Sequence, residues 1–589
     1  MVKLTVATRF LLAALVLGVF HLTFARPSIQ AEPSREKEAQ VDALFKRFGN
    51  STPGCAVAIM NANGIVYSHA YGMADLEHGV PLTTDSIFSI DSMSKQFTGM
   101  DIAILAVRGR LSLQDDVHKY LPELPDYGHS ITIAELLHHT SGLKDANELF
   151  KAAGFRVPFD IQTRKMYLDM VLRQRDLNFV PGSQFLYSDT NYFLLGMIIE
   201  RVSGESLTTF TEHEIFAPLG MTHSAIRDDT SRIIERRAFG YNKDDEEKND
   251  NIFHDADTHL EGLGADGVIT SVEDFAKWDH NFYDAKVGGP QAIDLMLERQ
   301  ELSDGIPNNY SIGLVTLPYR GLKMVTHGGS GFGSNSNYVR FPDQQLSVVV
   351  LCNMRDLDPN DAEMRPGTLS TKIADIYLGR QFKDATSPSS SANAAVKSGS
   401  NAALLKALSG LYWDGAETVR KLDEKNGQLT VQYWPGGTPV TLRGIGGARF
   451  VLGDVTYAFD AERRMVTRLD LSQQIAPQPQ QLVRVRDVRA GPGAMEGLAG
   501  TYYSRDIDST WKIVVIHDGL VLQRKDFPDE DLHPAFEDAF SSNRGLLHFI
   551  RDARGRVTGL DLRKERLVGI RFMKCGGGPE NRESQPCCD

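Results

Sequence analysis

Gly54-Cys-Ala-Val-Ala-Ile-Met60, then Asn63-Gly64, then Ile65-Val-Tyr-Ser-His-Ala70: the two apolar runs read as antiparallel strands. The Asn-Gly pair reads as the turn between them, because these residues tolerate the positive φ of a tight hairpin. Three more strands are expected far downstream, at Leu322-Lys-Met-Val-Thr326, Ser336-Asn-Tyr-Val-Arg340 and Leu346-Ser-Val-Val-Val-Leu-Cys352, parted by Gly-rich or Pro-Asp turns. The chain between the two clusters has apolar residues at helical spacing, notably over Gln96 to Arg108, Ile133 to His138 and Asn191 to Val202. A sheet assembled from both ends of a segment, with helices inserted between, is an α+β unit: an antiparallel sheet flanked by helices, expected over residues 36–380.

At 589 residues the chain exceeds one hydrophobic core, so further units must follow. Residues 381–403 are Ser/Ala-rich and aperiodic, a linker composition. Beyond them the sequence turns strand-rich and repeats. Leu408-Ser-Gly-Leu-Tyr412 matches Leu498-Ala-Gly-Thr-Tyr502, and Val466-Thr-Arg-Leu-Asp-Leu471 matches Val557-Thr-Gly-Leu-Asp-Leu562, at nearly the same offset. Two tandem antiparallel β-barrels of small, lipocalin-like size are expected, over 404–490 and 494–575, parted near Gly491-Pro-Gly493 and followed by a tail, 576–589.

Lys3 and Arg9, the apolar run Phe10 to Phe20, and Thr-Phe-Ala ending at Ala25 form a secretory signal pattern over 1–25, too short in its apolar part to span a bilayer comfortably. A secreted or periplasmic chain with no stable membrane span after signal removal is expected. The formal charge is −13, and loss of Lys3 and Arg9 makes it −15, which repels phosphate backbones and argues against a nucleic-acid partner. Five cysteines exclude a complete intrachain disulfide framework but allow a bridge in an oxidising compartment.

Ser-x-x-Lys starts at Ser34, Ser92, Ser141 and Ser509, so context must choose. Only Ser92 follows a short strand-like stretch, Ser86 to Ile90, and opens a helix, with Asp91 or Ser92 itself as the expected N-cap. A serine hydroxyl is a weak nucleophile until a neighbour takes its proton, and Lys95 lies one helical turn on, on the same face. Burial and the positive end of the helix are expected to depress the Lys95 pKa and free it as a base. Tyr187-Ser188-Asp189, in a loop opened by Pro181-Gly182, can bring a phenol beside the serine and a polar group beside the substrate. His327-Gly328-Gly329 ends one strand: the glycines let a substrate approach the strand edge, and His327 offers a donor or cation. Taken singly, each pattern also fits a cap, an Asx-turn or a flexible turn. The chain contains no Gly-x-Ser-x-Gly elbow, phosphate loop or zinc helix. His138-His139 reads as structural and the group His254, Asp255, Asp257 and His259 as solvated, so neither metal nor cofactor is called for.

The ordered set Ser92-Met-Ser-Lys95, Tyr187-Ser-Asp189 and His327-Gly-Gly329 resembles the three-motif pattern of the class C β-lactamase and penicillin-recognising serine hydrolase family. Ile131 to Leu143, Gly264 to Trp278 and Pro218-Leu-Gly-Met221 resemble further family segments. The resemblance implies an α/β sandwich of β-lactamase type, Ser92 attacking a carbonyl, Lys95 and Tyr187 sharing proton transfer, and His327 with Gly328 and Gly329 bordering the substrate beside Asp189. It implies an oxyanion site from the Ser92 N–H and the strand after His327. Asp189 stands where many members carry Asn, and His327 where lactamases carry Lys, which points away from strong β-lactamase activity toward a peptidase or esterase. A catalytic unit followed by two barrels resembles bacterial D-aminopeptidase, in which a loop of the last barrel reaches the cleft. Lys525-Asp-Phe-Pro-Asp-Glu-Asp531 is the loop considered for that role, against an ordinary solvated loop. The expected partner is a small-molecule or peptide substrate, cleaved through an acyl-enzyme. A non-catalytic cell-wall-binding protein is the reading of another class, and the oligomeric state is not legible.

Overall fold

The computed structural model describes residues 35–156, 159–243, 252–257, 263–355, 364–382, 402–460, 463–470, 475–487 and 492–576. The signal pattern, nearly all of the linker and tail, and His259 lie outside them. One antiparallel sheet organises the first unit. Its strands run, edge to edge, Val315–Tyr319, Leu322–Ser330, Asn335–Phe341, Leu346–Cys352, Cys55–Asn61 and Gly64–Tyr71. Strands from the two ends of the unit therefore meet at its middle, where Cys55–Asn61 pairs with Leu346–Cys352.

Alternation along these central strands explains the layers on both faces. Val57, Ile59, Val348 and Val350 enter one core with Val41, Ile373 and Leu378 from the flanking helices Arg35–Leu44 and Pro366–Leu378. Ala56, Ala58, Val349 and Leu351 enter the opposite core with Phe97, Phe275 and Trp278 from the inserted helices. Successive side chains of a strand point to opposite faces, so continuous apolar runs require two covered faces. Each fully buried Val or Ile contributes about 1.5–3 kcal/mol by leaving water. Cys55 and Cys352 are cross-strand neighbours and form a disulfide. Cys575 is disulfide-bonded as well.

Helix Lys95–Val107 runs through the inserted layer with nearly every residue buried, which is why it is apolar all round rather than striped. Asp189–Ser203 and Gly289–Leu297 pack on it. The three anticipated helices are present with small shifts of their ends: Lys95–Val107, Ile133–Leu137 and Asp189–Ser203. The start of the first differs from expectation. Neither Asp91 nor Ser92 caps it; a 3₁₀ turn, Asp91–Ser94, runs straight into the helix, with Asp91 at φ 47°.

Two β units follow. The first is a nine-stranded antiparallel sheet whose end strands, Val440–Thr441 and Arg443–Gly446, are separated in the chain by Leu442 alone, so the sheet must curl until its edges nearly meet. The second, Gly500–Ser504 through Leu567–Lys574, is a closed eight-stranded barrel. The repeated strings occupy equivalent places. In each, a short helix leads into the first strand, and the strand's tyrosine turns back on the helix end: the Tyr412 hydroxyl donates to Leu408 O at 2.9 Å and that of Tyr502 to Leu498 O at 2.5 Å. Among the described residues no helix is long and apolar enough to cross a membrane.

Candidate active site

Ser92 sits on the 3₁₀ turn that opens helix Lys95–Val107, and strand Leu322–Ser330 closes on that turn. Pairing with Val315–Tyr319 ends at Thr326, so His327–Ser330 is laddered only to Asn335–Phe341 and turns its other edge to Ser92. Gly329 makes this approach possible. A Cβ there would stand 2.1 Å from the Ile90 carbonyl oxygen and 2.5 Å from Ser336 Oγ; at Gly331 it would stand 2.3 Å from the Asp91 carboxylate. Glycine at 329 and 331 thus admits the nucleophile turn itself, where a substrate was anticipated. Asp91, whose carboxylate accepts from Ser334 Oγ at 2.8 Å, ties the turn to the loop beyond, and burial pushes its carboxyl up to about 6.

Lys95 is fully buried, and its ammonium donates to Ser92 Oγ at 3.1 Å, Asp189 Oδ1 at 2.7 Å and Ala265 O at 2.9 Å. The expected lowering of its pKa is reversed: burial does oppose the charge, but the adjacent Asp189 carboxylate, with Tyr187 and Asp266 behind it, outweighs burial and holds Lys95 protonated. Asp189 stays ionised for the reciprocal reason, burial being overcome by Lys95 and Arg566. Its two carboxylate oxygens are taken by Lys95 and by Asn147 Nδ2 at 2.9 Å, so Asp189 borders the cavity with its acceptors already engaged.

Tyr187 stands against this pair. Lys95 Nζ lies 4.9 Å from the centre of its ring, and the buried hydroxyl is beside Ser92 and Lys95 without a well-aligned hydrogen bond to either. Burial raises the phenol to about 12 against the pull of Lys95. His139 packs on the same ring at 4.2 Å between centres, accepts the Ser188 N–H at Nδ1, and is held neutral by burial and neighbouring cations. His138 Nδ1 bonds Tyr310 O at 2.8 Å. Both histidines are therefore built into the wall.

His327 does not face the cavity as a cation. It is buried, its Nε2 meets the Tyr310 hydroxyl at 2.9 Å, and burial together with Lys95 pushes it down to about 4, which leaves a neutral ring. The cavity, about 390 Å³, is bordered on this side by Ser330, Gly331 and Phe332, and His327, Gly328 and Gly329 lie behind that border.

Several charged groups that sequence reading missed line the same cavity as Ser92 and Asp189. Asp145 accepts the Asp189 N–H at 2.7 Å and is raised to about 6 by burial and by Asp189. Asp266 is raised to about 7 by burial, with Lys95 opposing and Asp189 adding. Arg566 enters from the second barrel at the turn between Val557–Lys564 and Leu567–Lys574. The loop Lys525 to Asp531 does not line the cavity; its Phe527 reaches the helix Ala146–Ala153 near Gly154 instead. The first barrel braces the Tyr187 segment too, with Gln478 Oε1 accepting the Phe185 N–H at 3.1 Å. An aspartate inside Gly264 to Trp278 was the one available signal for Asp266; nothing local marks Arg566, which joins the site across several hundred residues. Among the described residues no group of three His, Cys, Asp or Glu is placed to hold a metal ion.

This arrangement can activate a serine for attack on a carbonyl: a hydroxyl 3.1 Å from a buried ammonium, a phenol against both, and a strand edge across the cavity. Comparison with known proteins agrees with that chemistry. Penicillin-binding protein 4* of Bacillus subtilis is 29% identical over 338 residues, 55% of this chain and 73% of that protein. The D-aminopeptidase of Gluconobacter oxydans is 29% identical over 323 residues, 54% of this chain but only 59% of that protein. The octameric penicillin-binding protein homologue from Pyrococcus abyssi aligns with a TM-score of 0.51 at 22% identity, over 76% of this chain and 99% of that one, a likeness of fold. The Beta-lactamase family model matches residues 41–371, more than half of the chain, and with Ser92, Lys95 and Tyr187 drawn together inside that span the chain belongs to the beta-lactamase family of serine hydrolases.

Proposed function

We propose that the chain is an exported hydrolase that cleaves small peptides or amides through an acyl-enzyme on Ser92. The observation that carries this reading is the contact of Ser92 Oγ with Lys95 Nζ at 3.1 Å, beside the Tyr187 ring, with Ser92 lining a cavity of about 390 Å³. Because Asp189 keeps the proton on Lys95, the group that gives up a proton to activate the pair is Tyr187. The Ser92 O–H proton passes to the Tyr187 phenolate as Oγ bonds the carbonyl carbon. The regenerated phenol then protonates the leaving nitrogen as the C–N bond breaks, and water releases the acyl group by the same steps reversed. The Ser92 N–H and the strand edge at Ser330 are the donors for the oxyanion.

The size of the cavity favours small substrates, the tip of the second barrel forms one wall, and acidic and basic side chains line it in nearly equal number. Among the described residues the Asp266 carboxyl accepts no hydrogen bond, which leaves it open to a substrate ammonium. The D-aminopeptidases among the relatives support the peptide or amide class. Export is supported by the leader pattern and by the Cys55–Cys352 bridge, which suits an oxidising compartment. The test is release of p-nitroaniline from D-alanine p-nitroanilide, with a short p-nitrophenyl ester alongside and a fluorophosphonate to label the nucleophile. Turnover and an adduct at Ser92, both lost in Ser92→Ala, are expected; retained turnover in that variant, or no adduct, refutes the assignment.

A further inference from the structure

Arg566 reaches the nucleophile's cavity from a different domain, and its main chain is fastened there. Asn178 Nδ2 donates to Arg566 O at 3.1 Å, and the Val568 N–H donates to Asn178 Oδ1 at 2.9 Å. The neighbouring Lys564 donates to Glu148 Oε2 at 2.7 Å. The guanidinium has no such fastening. Among the described residues it makes no hydrogen bond or ion pair, yet it lines the cavity with Ser92 and lies 5.0 Å from the centre of the Tyr187 ring.

A guanidinium withdrawn from water without a bonded partner is costly unless nearby charge compensates it. Burial opposes its charge, and Asp145 and Asp189 at longer range, with Tyr187, overcome burial and keep Arg566 ionised. Two cations therefore bear on one phenol, since Lys95 Nζ is 4.9 Å from the same ring. They are not equivalent: Lys95 is bound to Asp189 at 2.7 Å, which offsets much of its effect on the phenol, whereas Arg566 has no anion in contact. The other titratable groups on Tyr187 are His139 and His327, both neutral, the phenols of Tyr192 and Tyr310, and Asp189, which opposes ionisation. Among the described residues Arg566 is thus a positive charge over the phenol that no carboxylate touches.

We propose that Arg566 is a positioning residue for catalysis, stabilising the Tyr187 phenolate through space, so that the second barrel supplies part of the chemistry and not only a wall. This rests on the reading of Tyr187 as the group that deprotonates Ser92. The experiment follows the rate of Ser92 acylation by a fluorophosphonate against pH in the full-length chain. It compares wild type, Arg566→Met, which keeps bulk without charge, and Arg566→Lys, which keeps charge without the planar fork. Loss of the cation makes the phenolate harder to form, so the acidic limb in Arg566→Met moves up by about one pH unit. The phenol titrates at about 12, so labelling is about tenfold slower at every pH below that limb. Arg566→Lys restores most of the wild-type profile. A wild-type labelling rate in Arg566→Met, or a lysine variant as impaired as the methionine one, overturns the proposal while leaving Ser92 as nucleophile. No adduct on the wild type at any pH overturns the parent reading and this one together.

Discussion

Replacing Asp189 by Asn tests the electrostatics of the site at its tightest contact. The carboxylate is 2.7 Å from the Lys95 ammonium, and both side chains are almost wholly withdrawn from water. At an effective dielectric of about 20 that separation corresponds to about 6 kcal/mol of attraction, an upper bound because an amide oxygen still accepts the same hydrogen bond. Asp189 favours protonation of Lys95 and of Tyr187 alike, so its charge holds the catalytic pair in the state with one proton too many. Removing that charge makes the proton easier to lose. The acidic limb of kcat/KM therefore moves down in Asp189→Asn, by one pH unit or more, which is about tenfold or greater gain below the wild-type limb. The substitution is accommodated locally, because Asn147 has an unpartnered Oδ1 that can turn to accept from the new amide. The assay is the pH profile of p-nitrophenyl ester hydrolysis, corrected with Ser92→Ala. A limb that stays in place or moves up refutes the account of Lys95 as an ammonium held by Asp189.

Gly329→Ala sets a methyl 2.1 Å from the Ile90 carbonyl, two residues before Ser92, so the strand or the nucleophile turn must move. A stability loss of about 1–3 kcal/mol with slower Ser92 labelling is expected, checked by thermal unfolding and fluorophosphonate kinetics; wild-type values for both count against it. Cys55 and Cys352 join strands 297 residues apart in sequence, so replacing both by Ala releases a long loop in the unfolded chain. Loss of about 2–4 kcal/mol with an unaltered acylation rate at low temperature is expected, and an unchanged melting point refutes it.

What the residues alone determined is local. The continuous apolar runs in Cys55–Asn61 and Leu346–Cys352 read as strands, and their pairing at the middle of the sheet, covered on both faces, is what the fold adds. The Ser-x-x-Lys spacing brought Ser92 and Lys95 together because three residues are one helical turn. The 90-residue echo of Leu408 to Tyr412 in Leu498 to Tyr502 announced two related β units, each with a tyrosine folded back on a helix end. Charge states were another matter. Burial and the helix end were expected to depress Lys95, and His327 to offer a donor or a cation; Lys95 is instead held charged, and of the two roles for His327 the cation is excluded. The first expectation overlooked Asp189 at 2.7 Å, and the second overlooked how fully His327 is enclosed beside Lys95. The same holds for Arg566, whose place over Tyr187 depends on a barrel docked through Asn178. Turn and strand preferences act between near neighbours and can be read along the chain. The pKa of a buried group depends on every charge within several ångströms, and only the folded chain decides which charges those are.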